Sequence, residues 1–171
     1  MPLTGAGRLP LAFVGAGLFA YGLAACWLAG LVRSDLPFFL HPGVVGLAHL
    51  WLPGFLLSVC IGATYQLMPV VLGEALRLRD RWLWGHAALH AVGVAALTAG
   101  LAGGRYALAG LGGLAVTLGT GVLATATWRT FRASRRRDAA AWSFVFAAGW
   151  LIVTTAAGVL LAINRRDPFL P

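Results

Sequence analysis

The chain has 171 residues, 60% hydrophobic and 11% charged, with a mean hydropathy of +0.83. A soluble domain carries about 25% charged residues, so a water-soluble globular protein is excluded, and this much apolar surface also excludes a disordered chain. The formal charge of +8 comes from 13 arginines and no lysine; lying between long apolar runs, they mark bilayer edges rather than a nucleic-acid surface.

Crossing about 30 Å of hydrocarbon takes about 20 apolar residues. Five uncharged runs meet that need, at 11–32, 44–72, 82–104, 106–128 and 139–163, and all 18 charged residues fall outside them. The expected fold is therefore all-α, one integral membrane domain over residues 1–171 built as a bundle of five transmembrane helices. The breaks carry turn chemistry at Ser34-Asp35-Leu36-Pro37, His41-Pro42-Gly43, Gly103-Gly104 and Asp167-Pro168. One side of the bilayer receives nine arginines (8, 77, 79, 81, 129, 132, 135, 136 and 137) and the other four (33, 105, 165 and 166). The positive-inside rule then puts the N-terminus in the cytoplasm and the C-terminus outside, in an inner (cytoplasmic) membrane. The cluster from Arg132 to Arg137 is expected on anionic headgroups, at roughly 1 kcal/mol per arginine.

The first run admits a second reading. Leu9 to Ala25 behind Arg8 has the form of a signal-peptide core, and Leu23-Ala24-Ala25-Cys26 is similar to a lipoprotein cleavage box. The apolar stretch continues to Val32, which favours an uncleaved span. Membrane helices associate through small residues spaced four apart. Such rows occur at Gly22-Cys26-Gly30 in the first run and Gly85-Leu89-Gly93-Leu97 in the third. The fourth has two, Gly112-Val116-Thr120-Ala124 and Gly113-Thr117-Gly121-Thr125. The last of these is expected to pack the third helix against the fourth. Packing suffices to explain every row; either the chain itself or a homo-oligomer provides the partner.

The second run carries the chemistry. At 100° per residue His49, Pro53, Cys60 and Thr64 fall on one face, with Ser58 and Tyr65 opposite. Pro53 and Pro69 free the carbonyls of His49 and Tyr65. His49 lies about 7 Å below the outer surface, counted from Val44 at 1.5 Å per residue, and an ionisable group at that depth is a functional candidate by default. The alternative is a neutral histidine hydrogen-bonded to a neighbouring helix.

In the third run His86 and His90 stand one turn apart on one face. His86 is expected near the inner headgroups, in a surface role, and His90 about 12 Å into the membrane from Trp82. His41 sits in the outer loop. No carboxylate lies on any run, which argues against a hard-cation site, an acid–base pair, a hydrolytic triad or a carboxylate-based proton path. Walker, dinucleotide and Cys-x-x-Cys-His motifs are missing too. A histidine-ligated metal or haem is the chemistry still supplied with residues, with His49 and His90 as metal candidates.

The segment from His49 through Pro53, Gly62-Ala63-Thr64-Tyr65-Gln66-Leu67-Met68-Pro69 and on to Gly73 resembles the second transmembrane helix of the haem-copper oxidase subunit I superfamily, above all its NnrS-like relatives. The resemblance covers about 25 residues. It implies that His49 matches a low-spin haem ligand near the outer face, with haem b as cofactor. It also implies that the chain is no autonomous oxidase or reductase, because the adjacent histidine pair and later helices that carry copper and high-spin haem ligands in that superfamily have no counterpart here. The expected function is a haem-b-binding electron-transfer or gas-sensing subunit, with His90, His86 or His41, or a second chain, completing the site. The competing expectation is a non-catalytic structural or assembly subunit of a membrane respiratory or photosynthetic complex. A copper site joining His49 to Cys60 fails on distance, about 16 Å along a helix.

Overall fold

Turn residues punctuate the chain where the charges do. In the computed structural model, which describes residues 5–33 and 38–166, the helices are α1 (Gly5–Arg33), α2 (Pro42–His49), a π-helical segment (Leu50–Leu57), α3 (Ser58–Leu72), α4 (Asp80–Ala102), α5 (Tyr106–Ala133) and α6 (Ala139–Arg166). α2, the π segment and α3 run on as one span, so the described residues contain five helices long and apolar enough to cross a membrane, and no strand. The breaks at Ser34–Pro37 and Asp167–Pro168 lie outside the described residues, as do the side chains of Arg165 and Arg166.

Each end has a local cause. Pro42 occupies the first turn of α2, where its missing N–H is harmless, and the His41 ring nitrogen Nδ1 accepts the Gly43 N–H at 3.1 Å. α3 ends on Gly73, whose φ of 65° is the left-handed cap that glycine adopts without penalty. Asp138 caps α6 by accepting the Ala141 N–H at 2.8 Å.

The arginine cluster is partly structural. The Arg136 guanidinium donates to the Val71 carbonyl at 2.9 Å, and Ser134 Oγ donates to the Leu72 carbonyl at 2.6 Å. Arg137 donates to the carbonyls of Phe131 and Ser134 and lies over the Phe131 ring. These contacts satisfy orphan carbonyls at the ends of α3 and α5, where cations also suit the helix dipoles.

Small residues set the helix spacing, though not the row expected. α4 and α5 form a tight hairpin in which Gly93 and Gly112 bring the backbones together: a Cβ on Gly93 would stand 2.9 Å from the Gly112 carbonyl oxygen, and one on Gly112 would collide with the Leu97 backbone. Gly121 has nothing within 4 Å, and Gly113 faces Val159 of α6. The Gly113-Thr117-Gly121-Thr125 row therefore does not join the third and fourth spans. The neighbouring face of α5, with Gly112, Val116 and Leu123 buried, does. Gly22, Gly30 and Gly85 likewise meet nothing within 4 Å, and Cys26 is exposed. The outward surface is apolar, with Leu11, Phe19, Val70 and Trp150 all well exposed. That surface suits lipid as solvent.

Candidate functional site

The second span places its polar side chains by abandoning the α-helical period. Pro53 has no N–H for the ladder, and the backbone around it widens into the π turns of Leu50–Leu57. A wheel drawn at 100° per residue through this segment loses its register. His49, Cys60 and Thr64 consequently do not present one common polar face. Cys60 is exposed, and Thr64 Oγ1 donates to the Cys60 carbonyl of its own helix at 2.8 Å. Ser58 and Tyr65 point inward and are buried.

Facing them from α4 are both of its histidines. His86 is 0% exposed and His90 2%, so His86 is a core residue and not the surface group its position near the inner end suggested. The loop residues Leu76 and Leu78 pack over that end of the core. The Tyr65 hydroxyl and His86 Nδ1 are hydrogen-bonded at 2.8 Å, and Ser58 Oγ and His90 Nε2 at 2.9 Å. Phe13 of α1 closes the cluster, its ring 5.0 Å from His86 and 5.7 Å from His90 between centroids. Gly119 of α5 makes room for the His86 ring, since a Cβ there would approach Cδ2 to 2.8 Å.

Ser58 fixes the state of His90. Its single proton goes to the Gly54 carbonyl at 2.6 Å, so its oxygen accepts the Nε2–H of His90, and Nδ1 is left with a lone pair. His90 Nδ1 has no hydrogen-bond partner among the described residues; the same holds for His86 Nε2, Thr98 Oγ1 and Thr127 Oγ1. Removing the Tyr65 hydroxyl should expose how tightly this cluster is built. Tyr65→Phe leaves His86 Nδ1 buried and unmatched, an expected loss of about 1–3 kcal/mol, readable as a lower midpoint of unfolding in detergent. An unchanged midpoint would mean that the Tyr65–His86 bond contributes nothing to stability.

His49 stands apart from this cluster. It is partly buried, and its Nδ1–H donates to the Val45 carbonyl one turn back at 2.8 Å. The neutral ring then carries its lone pair on Nε2, the arrangement in which a backbone carbonyl orients a histidine for metal ligation. His49 lines an apolar cavity of about 290 Å³ with Pro53, Leu97, Val116, Leu151, Thr154 and Thr155 among its walls. Both threonine hydroxyls there are spent on their own helix, Thr154 on Trp150 and Thr155 on Leu151. His90 lines a different cavity, and His41 is exposed at the start of α2. The four histidines thus divide into a fully buried pair bonded to Tyr65 and Ser58, a helix cap, and one partly buried ring beside a separate apolar cavity. Among the described residues no three His, Cys, Asp or Glu side chains group closely enough to hold a metal ion.

The fold and site define an all-helical multi-pass bundle with histidines in its interior. No protein-family model matches the chain, and neither a curated protein nor a solved structure matches it.

Proposed function

We propose that the protein is a haem-b-binding subunit of the inner membrane, for electron transfer or gas sensing, in which His49 supplies one axial nitrogen. The observation that carries this reading is the His49 tautomer: Nδ1 is held by Val45 and Nε2 is left for an occupant of the apolar cavity. The likeness of residues 49–73 to the second helix of haem-copper oxidase subunit I points the same way. Haem in that position would supply one-electron chemistry and, where no second ligand binds, an open position for a diatomic gas.

The residues fit one face of a haem. His49 offers the nitrogen, and the aliphatic walls offer the low-polarity surroundings that exclude water from a macrocycle. At 290 Å³ the cavity lies just below the ~300–1,000 Å³ range of ligand pockets, and a porphyrin belongs at the upper end. Accommodating it means that α6, the least buried of the five spans, stands further out, with a second chain closing the other face. His86 is fully enclosed, His90 lines a different cavity and His41 caps α2, so the second ligand on this reading comes from outside the chain. The test is the absorption spectrum of protein purified from haem-replete cells: a Soret band that sharpens on dithionite reduction is expected, and its absence removes the haem reading.

In that event a second reading takes over, a structural or assembly subunit of a larger membrane complex. It draws on the outward row of α1, where Gly22 and Gly30 have open space above them and Cys26 is exposed, a surface suited to close approach by another helix. Both readings share one topology, N-terminus in the cytoplasm and C-terminus outside. With Cys26 and Cys60 removed, Arg135→Cys should label only from the cytoplasmic side and Arg105→Cys only from the other. Labelling of both from the same side contradicts it.

A further inference from the structure

Gly121, with open space above it, lies in a groove of about 500 Å³ at the arginine-rich end of the bundle. Leu118, Thr125 and Arg129 share its α5 wall with Gly121, while Trp82 of α4 and Leu78 of the preceding loop supply the rest. Leu118 and Trp82 are more than half exposed, and Thr125 and Arg129 are exposed as well. The groove therefore opens outward, onto the surface that lipid covers. Its walls make no polar demand below Arg129, because Thr125 Oγ1 donates to the Gly121 carbonyl at 2.8 Å.

Length and width limit what can lie there. From Leu118 to Arg129 is eleven residues, about 16 Å along α5 and so about half of a 30 Å hydrocarbon layer. Spread over that length, 500 Å³ gives a cross-section of about 30 Å². That admits a hydrocarbon chain and is too narrow to seat a helix, which is about 10–12 Å across. One end is apolar near mid-bilayer; the other carries Trp82 and Arg129, residue types that mark the headgroup level.

Charge selects the headgroup. Among the described residues no carboxylate lines the groove: Glu74 is paired with Arg77 at 3.0 Å, Asp138 caps α6, and Asp80 lines a different cavity. Arg129 has no ion-pair partner among the described residues. A second cation stands at the mouth, the Arg81 guanidinium lying 5.7 Å from the centre of the Trp82 ring. Guanidinium presents a planar fork of donors that matches a phosphate. We propose that this groove binds one anionic phospholipid, an acyl chain lying against Trp82, Leu118 and Gly121 and the phosphate held by Arg129, with Arg81 as the neighbouring charge.

The inference does not rest on haem binding, and native mass spectrometry of detergent-purified protein tests it. Dioleoylphosphatidylglycerol and dioleoylphosphatidylcholine, alike in their chains and different in headgroup charge, are titrated separately, and the affinity of the first bound lipid is read for each. The anionic lipid should bind at least about fivefold more tightly, the share of one arginine at a membrane surface. Arg129→Gln should abolish that preference. Arg135→Gln, which removes the same charge from an exposed position outside the groove, should keep it. Gly121→Phe fills the groove and should weaken the anionic lipid several-fold, with circular dichroism checking the fold. Equal affinities for the two lipids overturn the proposal. So does an equal loss of preference in Arg129→Gln and Arg135→Gln, which would mean a diffuse basic surface. Full binding by folded Gly121→Phe, or displacement of the lipid by millimolar glycerol phosphate, overturns it as well.

Discussion

His49→Ala is expected to purify without haem, while His90→Ala keeps the wild-type amount per chain. The contrast follows from where each ring is held. His49 turns its Nδ1 proton to the Val45 carbonyl and keeps Nε2 unshared beside the cavity of Leu97, Val116 and Leu151. On the proposed reading alanine there removes the iron ligand and leaves only weak contacts between carbon surfaces. His90 donates through Nε2 to Ser58 and lines another groove. Its removal costs core stability, which a melting curve will register, but takes nothing from the His49 cavity. Haem per chain, determined beside the protein's circular dichroism, separates loss of ligand from loss of fold. Loss of haem in both variants, each still folded, would mean that the two histidines form an intrachain pair.

Gly112→Val is expected to destabilise the bundle by about 3 kcal/mol or more, the upper part of the range for overpacking a close contact. At this point α5 lies directly on the α4 backbone, so a Cβ meets Leu97 main-chain atoms and the Gly93 carbonyl. Backbone cannot swing aside as the end of a side chain can. Gly121→Val, nine residues on and with nothing within 4 Å, should change stability by no more than about 0.5 kcal/mol. Unfolding of the two variants in mixed micelles gives the comparison directly. Equal midpoints would place the α4–α5 contact somewhere other than this face.

The spans were legible because hydrophobic length and the placement of arginines are set by the bilayer and vary little with packing. The expected run at 82–104 became Asp80–Ala102, and that at 44–72 became Pro42–Leu72. What the wheel could not carry was rotation. Rows of residues four apart that begin at Gly112 and Gly113 run along two faces of α5, and only the partner helix decides which face is used: Gly112 is covered and Gly121 is open. The π segment had one visible signal, Pro53, but a proline in a membrane helix fits a bend as well as a change of pitch. His86 was misplaced for a different reason. Counting from Trp82 gives depth along the membrane normal, whereas burial at the helix end depends on Phe13, Tyr65, Leu76 and Leu78 arriving from elsewhere in the chain. The pairing of Tyr65 with His86 and of Ser58 with His90 joins residues 21 and 32 positions apart. No local pattern announces those pairs, although inward-facing Ser58 and Tyr65 opposite two stacked histidines hinted at a shared interior.

Chemical rescue addresses the role of His49 most directly. His49→Gly leaves an imidazole-sized gap beside the cavity, so haem titrated into the variant should give no Soret band alone and regain the wild-type band when millimolar imidazole is added. The wild type should take up one haem per chain without it. A variant that binds haem equally well with or without imidazole, or a wild type that takes up none, would contradict the assignment of His49 Nε2 as an iron ligand.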